Sequence, residues 1–161
     1  MALNVTALVL SLAAVIISVR QTVYVRQSNH LPLIVDILRE FRSPDFQKDY
    51  SVVLTSLDPE GPACALSQLR DAEKRAALTV AYFFQSIAYL VVYGIMGEEM
   101  VIATFQTSIR RSWNALRPYI EQERIQRDSI GQFGFFEHLA ERAEKVTMQK
   151  VWPHRKLQYY H

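Results

Sequence analysis

From Met1 to Val19 this chain carries no charged side chain; all 18 basic and 16 acidic residues lie from Arg20 onward. Such a stretch has to leave water over most of its circumference, either in lipid or inside protein. Ala2–Val19 is apolar apart from Asn4 and a few hydroxyls, which helices in lipid tolerate. A helix needs about 20 apolar residues to cross the hydrocarbon core, within a range of roughly 17–25. The stretch sits at the short end, but Gln21–Val25 extends it, with Arg20 snorkelling and Tyr24 at the depth of the headgroups. A cleaved signal peptide would carry Lys or Arg before the apolar run and a small-x-small site after it, and neither is present. A buried core helix would show a polar stripe, which this segment lacks. The expectation is a membrane anchor over residues 1–28, with Arg20, Tyr24 and Arg26 at the interface. Basic residues Arg20, Arg26, Arg39 and Arg42 follow the segment and none precedes it, so the N-terminus is expected outside and the remainder cytoplasmic, a single pass through the cell membrane.

Behind the anchor the periodicity is helical throughout. Ser28–Pro32 punctuates the chain, and Leu33, Ile34, Ile37, Leu38 and Phe41 then share one face. Ser43-Pro44-Asp45 is a helix start: a hydroxyl cap, a proline where its missing N–H costs nothing, and an acid near the positive end of the dipole. That helix is expected to run to about Leu57, where Asp58-Pro-Glu-Gly-Pro62 breaks it. A long helix is expected from about Ala65 to Met96. Its second part, Ala76–Met96, has no charge for 21 residues, long enough to be a second span. Two features oppose that. A crossing there would place Arg110, Arg111, Arg117, Arg124 and Arg127 outside, against the charge bias. The run also contains Thr79, Tyr82, Gln85, Ser86, Tyr89 and Tyr93, polar for a lipid-facing helix. A central helix surrounded by the others accounts for it instead. After Gly97, Val101, Phe105, Ile109, Trp113, Leu116 and Ile120 form a further stripe, which Pro118 should kink or divide. A last helix is expected from about Gln132 to Trp152. The fold class is therefore all-α: one N-terminal transmembrane helix, a cytoplasmic bundle of about five helices over 29–152, and a C-terminal tail over 153–161.

Leu38-Arg-Glu-Phe-Arg-Ser-Pro-Asp-Phe46, Phe83-Phe84 leading to Tyr93-Gly94, Ser112-Trp-Asn-Ala-Leu-Arg-Pro-Tyr-Ile-Glu-Gln-Glu-Arg124 and Gly134-Phe-Phe-Glu-His-Leu-Ala140 carry a resemblance. Over roughly Leu33 to Glu144 the chain is similar to a bacterial family catalogued as domain of unknown function 4760. The resemblance implies one N-terminal membrane helix joined to a helical domain. Its motifs are aromatic and structural, and it implies no activity and no functional residue.

The chemical inventory points away from catalysis. The net charge of +2 has no clustered basic face behind it, so nucleic acid is not expected as a partner. The single cysteine, Cys64, excludes an intramolecular disulfide framework, and no His or Arg stands beside it in sequence to activate it as a thiolate. His138 and Glu141 share a helix face, but a di-iron bundle needs paired motifs on facing helices, so a solvated face is the better account. The five glycines lack phosphate-loop spacing, no nucleophile has a base nearby in sequence, and Asn4-Val5-Thr6 is a sequon within or beside the anchor. No cofactor or metal is expected, and no enzyme. Phe41, Phe46, Phe83, Phe84, Phe105, Trp113, Phe135 and Phe136 are expected mostly in the core. Tyr82, Tyr89 and Tyr93, and Arg110 and Arg111 with Arg117, are candidate partner or ligand contacts. Two functions follow as expectations. One is a membrane-anchored interaction module or subunit, binding a protein partner or its own copies. The other is a sensor or enzyme for a lipid or apolar ligand, which would need a sizeable pocket lined by the three tyrosines.

Overall fold

The computed structural model describes residues 31–57 and 64–146, together with Ala14, Val15 and Ser18. Those three belong to the apolar N-terminal stretch, and each is helical and exposed. The rest of the expected anchor, with Arg20, Tyr24 and Arg26, lies outside the described residues, as does the expected tail. Five α-helices are described: α1 (Leu31–Phe41), α2 (Pro44–Ser56), α3 (Asp71–Val92), α4 (Glu98–Arg127) and α5 (Gly134–Lys145), with a 3-10 turn at Leu66–Gln68. Among the described residues there is no strand. The chain divides into two compact units, Met1–Phe41 and Arg42–His161. In the first, α1 has Leu33, Ile34, Ile37, Leu38 and Phe41 half-buried and Asp36, Arg39 and Glu40 exposed, the division its spacing implies. Arg39 and Asp36 pair one turn apart at 3.0 Å.

In the second unit α3 packs on α2, α4, α5 and the 3-10 turn. Local sequence sets each boundary. At α2 the Ser43 Oγ accepts from the Phe46 N–H at 3.2 Å and Pro44 opens the first turn. At the other end of α3, Gly94 takes φ +67°, donating its N–H to the Val91 carbonyl at 3.0 Å while Ile95 N–H reaches Leu90 at 2.9 Å. These two bonds form a Schellman motif, which favours a glycine at that left-handed position. They end the helix at Val92, short of Met96.

The start of α3 also differs from expectation. Ala65–Arg70 does not continue the helix but forms the 3-10 turn and its flanks. The Ala65 N–H donates to Gln68 Oε1 at 3.0 Å and the Ser67 N–H to Glu123 Oε2 at 2.8 Å. These side chains satisfy backbone groups that would otherwise favour continuing the helix.

Pro118 does not divide α4, which runs for 30 residues. An internal proline costs about 3 kcal/mol. Leu116 and Ile120, each with no exposed surface, flank it. Each contributes about 1.5–3 kcal/mol by burial, enough together to hold the helix continuous. The last helix begins two residues later than its periodicity suggests and is helical to Lys145, with residues beyond Val146 outside the described ones.

The core is a layer of small residues facing large ones. Ala76, Ala77, Ala81 and Ala88 on α3 are buried, as are Val101, Ile109, Leu116 and Ile120 on α4. Phe84 and Phe136 stack at 5.4 Å, Trp113 meets Phe136 edge-on at 5.2 Å, and Phe46 packs on Phe83 at 4.4 Å. Of the aromatics expected in the core, Phe46, Phe84, Phe105, Trp113 and Phe136 are buried, Phe83 and Phe135 are half-buried at its margin, and Phe41 is half-buried in the first unit.

α5 has no side-chain cap of its own at its start. Its N-cap position is Phe133, at φ 58° and without a capping oxygen. Instead Gln85 of α3, itself buried, accepts the Phe136 N–H at 2.8 Å. At the other end Gln106 of α4 donates to the Ala143 and Val146 carbonyls at 2.7 and 2.6 Å. Two glutamines borrowed from neighbouring helices therefore supply the groups a cap would supply.

Candidate functional site

Two surfaces of the second unit combine chemistry with exposure. The first is a cleft of about 140 Å³ lined by Leu66, Ser67, Lys74, Leu78, Tyr82, Glu123, Arg127 and Gln132. Glu123 continues the inward stripe of α4 by one step beyond Ile120 and is only 3% exposed. One of its oxygens receives the Ser67 N–H at 2.8 Å and the other pairs with Arg127 one turn later. Burial works against its charge, but the Ser67 hydrogen bonds and the Arg127 guanidinium outweigh it, leaving the carboxyl below its usual range. Lys74 Nζ donates to the Ser67 carbonyl at 3.3 Å, so α3 and α4 grip the same turn from opposite polarities. Arg124 Nε donates to the Gln132 carbonyl at 2.8 Å. Its Nη2 lies 2.8 Å from Glu137 Oε2, close enough for an ion pair but not aligned as a hydrogen bond. Gln132 Oε1 is buried with no partner among the described residues.

Both Glu123 oxygens are thus committed to the fold. What the cleft offers a visitor is the Lys74 ammonium, the Arg127 guanidinium and the Tyr82 phenol, without a nucleophile paired to a base. Among the described residues no three His, Cys, Asp or Glu side chains converge to hold a metal ion. His138 and Glu141 are both on the exposed face of α5.

The second surface is on α3. Tyr82, Tyr89 and Tyr93 are 57%, 41% and 72% exposed, with Ser86 exposed between them and Val92 beside them. This corrects the expectation of a helix enclosed on all sides: Val80, Ala81, Phe84, Ile87 and Ala88 face the core while the tyrosines face out. α3 is the one helix among the described residues long and apolar enough to cross a membrane, by length and composition, and 44% of its most apolar window is buried. The three tyrosines do not converge on one pocket. Tyr82 meets Phe133 edge-on at 5.1 Å and lines the cleft, whereas Tyr89 stacks on Tyr93 at 6.4 Å and lies against Phe135 at 4.6 Å. They form a stripe rather than a lining.

Arg110 and Arg111 are exposed on α4, with no ion pair among the described residues. Arg117 pairs with Glu121 at 2.7 Å, an ordinary solvated contact. Sequence reasoning missed Glu123, Gln85 and Gln106. The signal was present: each falls on or beside an inward stripe where an apolar residue is the rule, and a polar residue there needs a specific partner.

No curated protein and no solved structure matches the chain. A family model described as "Domain of unknown function (DUF4760)" matches residues 8–143, from within the apolar N-terminal stretch to the last turns of α5. With most of its length under that match, the chain belongs to this family.

Proposed function

We propose that this chain is a membrane-tethered helical docking module whose working surface is the tyrosine stripe of α3. The observation that carries the proposal is an uncharged, largely exposed row of Tyr82, Ser86, Tyr89 and Tyr93 on a helix whose opposite face is core. Tyrosine supplies a large contact area at low conformational cost and is enriched where proteins meet. The uncharged N-terminal stretch supports the tether, which holds the module near membrane-bound partners and raises their effective concentration. The proposed role is binding, as a scaffold or as a subunit of a membrane complex.

The alternative, a sensor or enzyme for an apolar ligand, has less to stand on. Small-molecule sites typically enclose about 300–1,000 Å³ with mainly apolar walls. The cleft beside Tyr82 holds about 140 Å³ and has Lys74, Glu123, Arg127 and Gln132 in its wall, while the larger groove on its other side, about 450 Å³, is open to solvent, carries Asp71, Lys74 and Arg75, and includes neither Tyr89 nor Tyr93.

The test is affinity purification of the full-length chain from membranes in mild detergent, comparing wild type, Ser86→Glu and Arg110→Glu. Ser86 is exposed within the stripe, so a carboxylate there strikes the docking face and leaves the core alone. The co-purifying species should fall at least about tenfold for Ser86→Glu, as a charge buried in an interface without a partner implies. Recovery indifferent to Ser86→Glu, or lost equally with Arg110→Glu, overturns the proposal.

A further inference from the structure

We infer that the occupant of the α3 stripe is a second copy of this chain, docked antiparallel about a two-fold axis at Ser86. The inference rests on the docking role proposed above and names its partner.

Arg75, Thr79, Tyr82, Ser86, Tyr89 and Tyr93 follow one another at steps of four, three, four, three and four residues. That is the seam spacing of a two-helix coiled coil. All of these residues are exposed except Thr79, which is half-buried. The seam is self-complementary about its centre. Ser86 is small and sits where two helices would approach most closely. Tyr82 and Tyr89 lie four residues before it and three after it, so each meets the other's counterpart across the axis. Thr79 and Tyr93 lie seven residues on either side, so a smaller side chain faces a larger one at both ends.

Charge sets the direction. Between Ala76 and Met96 there is no ionised group to bury or to repel. Arg75 marks one end of the seam, about 16 Å from Ser86 along the helix axis; with Lys74 beside it and Asp71 exposed one turn before it, that end is net positive. At the other end, past the Gly94 turn, Glu99 is exposed in the first turn of α4. Neither Arg75 nor Glu99 has an ion pair among the described residues, whereas Glu98 is taken by Arg142 at 2.8 Å. Parallel pairing would set arginine near arginine. Antiparallel pairing brings each basic end towards the other copy's acidic end, and does so twice. A seam one helix wide buries less than the roughly 1,600 Å² of a standard stable interface. The association is therefore weak in free solution and favoured where both copies share one membrane.

The experiment uses the full-length chain in its native membranes, with Cys64→Ser removing the single native thiol, and compares Ser86→Cys with Arg110→Cys under a short bis-maleimide. The expected result is a covalent homodimer from Ser86→Cys and little or none from Arg110→Cys. In the Ser86→Cys background, Arg75→Glu and Glu99→Arg should each lower the dimer yield about two- to fivefold, and the double exchange should restore it. Equal dimer from both cysteines, or charge exchanges without effect, overturns the antiparallel pairing. A Ser86→Cys crosslink to a different protein with no homodimer overturns the self-partner and leaves the docking role standing. No crosslink to anything at Ser86 overturns both.

Discussion

Glu123 shows how one residue decides a local fold. An ionised carboxylate on an inward stripe costs several kcal/mol unless its oxygens are satisfied, and here the Ser67 N–H and the Arg127 guanidinium satisfy them. Its folded carboxyl titrates below the ordinary value of 4.5, so the unfolded chain takes up the proton first as pH falls. The stability from this latch is therefore fully present above about pH 4.5 and is lost as pH drops through the lower folded value. Glu123→Gln should cost about 1–3 kcal/mol at neutral pH, because Ser67 and Arg127 both lose a charged acceptor. It should also flatten the acid limb. Denaturation midpoints between about pH 3 and pH 7 check both. A variant whose acid limb parallels that of wild type would show that other carboxylates control it.

Among the elements, α5 depends most on its neighbours. Its start and finish are satisfied by Gln85 and Gln106, so its stability is tied to the packing of α3 and α4. Gln106→Leu keeps the bulk but leaves the Ala143 and Val146 carbonyls without their donor. The expected cost is about 1–3 kcal/mol, with faster amide exchange concentrated in α5. Exchange rising uniformly across the unit would contradict a local cap. The same elements show what was legible beforehand. Ser43-Pro44-Asp45 marked α2 and the Val101–Ile120 stripe marked the buried face of α4, because caps and helical spacing are local properties. The 3-10 turn was not legible: it depends on Glu123, 56 residues from Ser67 in sequence. Helical spacing groups the tyrosines of α3 as a set, but their arrangement as an open stripe follows from how α2, α4 and α5 cover only part of that helix. Pro118 does not divide α4 because burial on both sides outweighs the missing hydrogen bond.

For the whole molecule, two uncharged stretches divide the labour proposed here. Under the proposed function, Ala2–Val19 would serve the membrane, while Ala76–Met96 would serve the bundle with one face and a partner with the other. The exposed position of Ser86 makes Ser86→Glu a substitution that should change the free energy of unfolding by no more than about 0.5 kcal/mol. Equilibrium unfolding of that variant separates lost docking from lost folding, and a large shift would mean that the stripe is structural instead. Whether α3 meets water or lipid decides the rest, since its length and composition suit either. Alkaline extraction of membranes carrying the full-length chain or a chain lacking residues 2–28 is the most direct measurement. The full-length chain should stay in the membrane pellet and the shortened chain should be released to the supernatant. A shortened chain that resists extraction would make α3 a membrane span and remove its tyrosine stripe as an aqueous docking face.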